Sequence, residues 1–294
     1  MSDTPTQTAI YRAEIEDSGR WQQFDHRPGD VFVCTAPKNG TTWTQAICNM
    51  LIHGDPDIGS GSGTFSPWIE LTIEPIDALN ARLADQEHRR VIKSHAPMDG
   101  VVWWPDATYL CVCRHPLDMY FSVLAHGANQ TDPVGNPVYD MDRAKSFEYW
   151  LNEPLVADPT NNTTFEAAIH HFQSYARWQH LPNVHLFHYA DMKGDLAGQM
   201  ARFADVLGVS VAADLMARLV EAATFDTMKA KAEVNAPEVE DGYWKDKRQF
   251  FHSGTSQKWI GRLSEVQIAG YNARMAALLS PKDRAWLEWG AAGN

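Results

Sequence analysis

Lys38, Asn39, Gly40, Thr41 and Thr42 stand between two apolar runs in the stretch V-F-V-C-T-A-P-K-N-G-T-T-W-T-Q-A-I-C-N-M-L, from Val31 to Leu51. One ammonium, a glycine free to turn and two hydroxyls at a helix start make an anion cup. The first N–H groups of a helix lack intrahelical acceptors and its dipole favours negative charge. Thr41 or Thr42 is expected to cap the helix. Lys38 precedes the only glycine of the loop, whereas the Walker pattern places lysine after a second glycine, so this is not a Walker loop. Further along, R-R-V-I-K-S-H-A-P (Arg89 to Pro97) offers Lys93 and His95, two apart and therefore on one face of an extended chain. T-Y-L-C-V-C-R-H-P (Thr108 to Pro116) ends on Arg114, with Ser122 in the helix-like run that follows. A planar guanidinium with five donors stays charged when desolvated and suits a phosphate. N-V-H-L-F-H-Y-A-D-M closes on Tyr189 and Asp191.

These residues need elements that bring them together. Val31 to Ala36 is β-branched and aromatic, and Trp43, Ala46, Ile47, Met50 and Leu51 recur at helical spacing, so a buried strand feeds an amphipathic helix. Four apolar runs, at Val31, Val91, Tyr109 and Val184, end at Lys38, at Lys93 with His95, at Arg114 and at Tyr189. Helical patterns separate several of them. The expected class is α/β: a central, mostly parallel sheet flanked by helices, with a P-loop-like phosphate-binding strand-loop-helix. All strand ends then meet at one crevice. Trp68 to Leu83 reads as helix broken at Pro75, and Phe165 to Leu181 as helix. Asn183 to Met192 reads as strand, and Leu196 to Leu207 and Val211 to Thr224 as two packing helices. The tail from Ile260 forms one or two more. The chain, 1–294, is read as one domain, with 1–29 a loose lead-in anchored at most by Trp21 and Phe24. Segments 127–164, loop with weak helix around Phe147, Trp150 and Leu151, and 230–258 are read as lid loops.

Eleven Trp, twelve Phe and nine Tyr within a 44% hydrophobic chain supply a sizeable core. A formal charge of −12 argues against nucleic acid or an anionic membrane as partner, so any anion site must be local. Cys34, Cys48, Cys111 and Cys113 lie in apolar patterns and read as reduced core residues. With no signal-like segment and no run of about 18 apolar residues, the chain reads as a soluble cytoplasmic protein.

P-K-N-G-T-T-W (Pro37 to Trp43) resembles P-K-[SA]-G-T-T-W, the first signature of the cytosolic-type sulfotransferases, here in a bacterial-like form. Asn39 stands where that family has a small residue. The resemblance implies that Lys38, Asn39, Gly40, Thr41, Thr42 and Trp43 grip the 5′-phosphate side of 3′-phosphoadenosine 5′-phosphosulfate (PAPS). K-S-H matches the family's K-x-H, making His95 the base toward the acceptor and Lys93 a stabiliser of charge. Arg114 and Ser122, eight apart, match the pair that holds the 3′-phosphate, and Ser122 is also implied to restrain Lys38. Y-A-D-M-K resembles Y-E-D-M-K, giving Tyr189 to the adenine, and A-T-F-D-T-M-K does the same for Thr224, Phe225 and Met228.

The match is poorest at H-S-G-T-S-Q-K-W (His252 to Trp259), which keeps Gly254 and Trp259 of R-K-G-x-x-G-x-W but replaces two cations by His252 and Ser253. Lys245, Lys247, Arg248 and Lys258 are possible substitutes. The implied activity is sulfuryl transfer to a hydroxyl of a small molecule, alcohol or phenol, with no metal. An aromatic rim of Trp68, Trp103, Trp104, Tyr149 and Trp150 leans toward an apolar acceptor. Two rival readings stand beside this one: a kinase-like phosphotransferase, and a catalytically silent nucleotide-binding protein. The acceptor and the oligomeric state stay open.

Overall fold

The computed structural model describes residues 3–61, 64–132, 136–237, 242–251 and 254–293. A two-residue antiparallel pair, β1 (Arg12–Ala13) and β2 (Glu16–Asp17), precedes the main sheet. That sheet consists of β3 (Val31–Cys34), β4 (Val91–Ser94), β5 (Thr108–Cys113) and β6 (Val184–His188), all parallel, in the order β4-β3-β5-β6. The chain leaves β3 toward β4 and then crosses back to β5, so β3 is the switch point, where open α/β sheets bind ligands at their carboxyl edge.

Helices follow in chain order: α1 (Thr41–His53), α2 (Ile76–Ala84), α3 (Pro116–Asn129), α4 (Arg143–Asn152), α5 (Phe165–Ala176), α6 (Tyr189–Gly194) and α7 (Leu196–Leu207). After them come α8 (Ala213–Ala222), α9 (Phe225–Ala230), α10 (Ala232–Asn235), α11 (Lys247–Phe250), α12 (Glu265–Leu278) and α13 (Pro281–Trp289). Both sheet faces are covered, which is why the two central strands, β3 and β5, are apolar almost throughout rather than alternating. Val31, Val33, Leu110 and Val112 face a core built from Ile47 and Met50 of α1 and Met200 and Phe203 of α7. Phe32, Cys34, Tyr109, Cys111 and Cys113 face the other core, with Leu117 and Tyr120 of α3 and Phe165, Phe172 and Tyr175 of α5. The four cysteines are free and buried. No helix among the described residues is long and apolar enough to cross a membrane.

Several expectations fail locally. Helix begins only at Ile76, with Pro75 as its N-cap, because proline has no N–H to give and fits only a helix start. Upstream, Pro67 to Ile69 runs along the edge of β4: Lys93 N–H donates to the Pro67 carbonyl and Ile69 N–H to that of Lys93. Helix α5 stops at Ala176, short of Leu181, and β6 stops at His188, whose ring caps α6 by accepting from the Ala190 N–H. Segment 127–164, read as loop with weak helix, holds α4, which buries Phe147, Trp150 and Leu151 in the core instead of offering them to a lid. The lead-in is not loose: Trp21 is 1% exposed and its Nε1 donates to Glu70 Oε1 at 2.7 Å.

Candidate active site

The loop leaving β3 turns sharply, with Lys38 at φ 67° and Gly40 at φ 105°. A side chain at Gly40 would start 3.1 Å from the Tyr189 ring, so both backbone and neighbour favour glycine there. Gly40 is itself the N-cap and no side chain caps α1, so the expected threonine cap does not form. The Thr41 hydroxyl instead turns back to the Thr35 hydroxyl at the end of β3. Uncapped N–H groups at a helix start, beside an ammonium, are what an anion needs. Asn39 is 5% exposed with its Oδ1 unpartnered and does not line the cavity.

At the end of β4, Lys93 and His95 do line one cavity. His95 Nδ1 lies 2.6 Å from the Thr35 carbonyl, so Nδ1 carries the hydrogen and Nε2 is left as acceptor. Burial, and next the nearby Lys93, hold this imidazole well below its usual range and therefore neutral. The Lys93 ammonium sits 4.0 Å above the Trp68 ring. Burial pulls it to about 8, against Glu16 and Glu70, which favour its charge. Glu70 supports the whole turn: it accepts from Trp21 Nε1, from Ser94 Oγ at 2.6 Å and from the His95 N–H at 3.3 Å.

Arg114 leaves β5 almost fully buried. Its guanidinium donates to the Lys38 carbonyl at 3.2 Å and the Thr255 carbonyl at 3.3 Å, lies 4.2 Å from the Tyr189 ring, and keeps Nε unpartnered. Both acceptors are neutral, so the charge remains available. The Thr255 segment is fastened to α3, because Asp118 accepts from the Gln257 and Lys258 N–H groups at 2.8 and 2.7 Å. Ser122 lines the cavity one turn below, but the Lys38 ammonium goes to His126 Nδ1 at 2.8 Å rather than to Ser122. Burial, then Lys93, Arg114 and Lys258, pull Lys38 to about 7.

Trp43, Tyr189, Phe225, Met228 and Gly254 complete the wall of this cavity, whose volume is about 480 Å³. Trp43 Nε1 is tied to the Ala223 carbonyl at 2.7 Å, and its ring meets Tyr189 edge-on at 5.4 Å. Thr42 and Thr41 also line it, whereas Thr224 does not and instead caps α9. Trp103, Trp104, Tyr149 and Trp150 pack on or in the core, leaving Trp68 as the one member of the expected rim at the cavity. His252 and Ser253 lie outside the described residues. Of the substitute cations Lys258 lines the cavity, while Lys245 donates to the Ala128 carbonyl and Lys247 pairs with Glu233.

Gly254 has φ 57°, and a Cβ there would start 2.7 Å from the Phe225 ring. Gly254→Ala is therefore expected to displace Phe225 and weaken adenine-nucleotide binding about tenfold, by roughly 1 to 3 kcal/mol of strain. Calorimetric titration with 3′-phosphoadenosine 5′-phosphate checks this, and unchanged affinity would remove Gly254 from the site. His126 and Phe250, both at the cavity, escaped the sequence reading; the available signal was that His126 lies four residues after Ser122, on the same helix face.

A sulfotransferase domain model matches residues 28–281. The glycolipid sulfotransferase of Mycobacterium tuberculosis is 33% identical, covering 98% of this chain and 96% of its own. Sulfotransferase 1E1 of Bos taurus is 23% identical over 85% of this chain and 83% of its own. A mouse sulfotransferase solved in complex with PAP shares the fold, with a TM-score of 0.71 at 21% identity, over 93% of this chain and 95% of the other. Matched across most of its length by the domain model and nearly end to end by the mycobacterial enzyme, the chain belongs to the sulfotransferase family.

Proposed function

We propose that the chain transfers a sulfuryl group from PAPS to a hydroxyl of an amphiphilic, glycolipid-like acceptor. The observation that carries this is the convergence of Lys38, Lys93, His95, Arg114 and Ser122, from the ends of three parallel strands and helix α3, on one cavity. The buried guanidinium of Arg114, with one nitrogen unpartnered and two on neutral carbonyls, fits a phosphate. So does the uncapped start of α1. The glycolipid reading is supported by the mycobacterial relatives and by the apolar side chains that line the cavity along with Trp68, among them Ile15, Leu71 and Ile73, of which Ile15 is 38% and Ile73 56% exposed.

When bound, PAPS supplies the sulfuryl group, whose bond to the 5′-phosphate oxygen breaks as the bond to the acceptor oxygen forms. His95 Nε2 accepts the acceptor's hydroxyl proton. Lys38 and Lys93 offset negative charge on the departing phosphate and the moving oxygens, Arg114 and Ser122 hold the 3′-phosphate, and Trp43, Tyr189, Phe225 and Met228 wall the adenine. Most of the acceleration then comes from positioning and preorganised charge.

Incubating the protein with PAPS and a panel of phenols, simple alcohols and glycolipids, followed by mass spectrometry, tests the proposal. Sulfate esters of the amphiphilic hydroxyl compounds are expected. A phosphorylated product from ATP, or no sulfated product across the panel, would overturn it.

A further inference from the structure

His126 lies on α3 one turn beyond Ser122, with its ring edge-on to Trp244 at 4.8 Å and to Phe250 at 6.2 Å. The Phe250 ring also sits 4.7 Å from Lys38 Nζ, so ammonium and imidazole share one aromatic box. We propose that His126 is a positioning residue for the phosphate-loop lysine, its Nδ1 accepting a hydrogen bond from the Lys38 ammonium and setting where that charge stands at the anion cup. The inference rests on the sulfuryl-transfer reading for the catalytic consequence, but the contact itself does not.

The direction of the bond follows from chemistry. Two nitrogens 2.8 Å apart share one hydrogen, so one of them must accept. Burial and the neighbouring Lys38, Lys93 and His95 disfavour an imidazolium, so His126 is neutral with Nδ1 bare and lysine is the donor. A neutral acceptor orients the ammonium without cancelling its charge, as a carboxylate would. Lys38 otherwise faces only cations among its strongest neighbours, Lys93 from β4, Arg114 from the end of β5 and Lys258 after Thr255. The imidazole therefore favours the protonated lysine against them. An incoming phosphate offers a stronger, charged acceptor and can take the ammonium over, so the same contact is releasable.

Three substitutions separate the acceptor atom from the shape of the ring. Asparagine places an amide oxygen near the Nδ1 position, glutamine reaches instead toward Nε2, and phenylalanine keeps the aromatic box without an acceptor. His126→Phe is expected to lower kcat for sulfation about tenfold with acceptor KM within about twofold, as for a misplaced catalytic group. His126→Asn should stay within about threefold of the parent, and His126→Gln should fall with phenylalanine. A second readout needs no turnover: the pH dependence of Lys38 acylation by acetic anhydride, followed by peptide mass spectrometry on the nucleotide-free protein. Loss of the acceptor should move the Lys38 midpoint to lower pH in the phenylalanine variant and leave it nearly in place in the asparagine variant. Equal impairment of asparagine and glutamine variants, or an unmoved acylation midpoint in His126→Phe, would overturn the proposal. If the acylation pattern holds while the parent protein makes no sulfate ester, the contact stands and the reaction assignment falls.

Discussion

His95→Ala is expected to lower kcat by ~10²-fold to 10⁴-fold while leaving affinity for 3′-phosphoadenosine 5′-phosphate within about twofold, the pattern of a lost general base. The structure explains why the two readouts separate. His95 is held from behind, by the Thr35 carbonyl on Nδ1 and by Glu70 on its backbone N–H, and presents only Nε2 to the cavity. In the proposed arrangement the nucleotide phosphates are met by other groups, on the β3 loop and at the end of β5. Because burial and Lys93 hold the imidazole well below its usual range, it stays an acceptor through mildly acidic pH. Its protonation should therefore cut the rate only well below pH 6.5 (the ordinary value), and the alanine variant should lose that acidic limb altogether. A rate profile measured at saturating PAPS checks both points. Activity that survives His95→Ala within about tenfold would show that another group takes the proton.

The parts of this site legible in sequence are those whose signal is local. Lys38 to Trp43 form one contiguous loop, and Lys93 with His95 or Arg114 with Ser122 need only a strand end or one helix face to be brought together. The parallel sheet follows from apolar runs that end in polar chemistry, and the order β4-β3-β5-β6 then places those ends side by side. What stayed hidden depends on tertiary partners. Glu70 is one acid among 37 in the chain until Trp21, Ser94 and the His95 N–H meet on it, and the same contact turns a seemingly loose lead-in into core. Trp103, Trp104 and Trp150 carry no mark that distinguishes a cavity rim from packing, and the structure assigns them to packing. Tyr189 was expected at a strand end; the His188 ring, by capping the next turn, makes it the first residue of a helix and swings it toward Gly40 and Arg114.

Arg114→Met should weaken 3′-phosphoadenosine 5′-phosphate by about 10-fold to 150-fold, taking about 1.5 to 3 kcal/mol for a hydrogen bond to a charged group, and leave adenosine 5′-monophosphate nearly unaffected. Selectivity is the informative quantity, because Arg114 has a structural task as well. It joins the Lys38 carbonyl to the Thr255 carbonyl, so its loss slackens the two walls of the cup together. A purely structural arginine would then cost both nucleotides equally. An arginine that reads the 3′-phosphate costs only the bisphosphate, since the monophosphate never used it. The Asp118 contacts to the Gln257 and Lys258 N–H groups are independent of Arg114 and should keep that segment in place, which favours the second outcome. Arg114→Lys should fall between, since lysine restores a point charge but not the planar fork that spans two carbonyls and still presents a donor to the cavity. Parallel calorimetric titrations of the three proteins with both nucleotides decide it: equal losses would reduce Arg114 to a strut and leave Ser122 and Lys258 as the remaining candidates to face the 3′-phosphate.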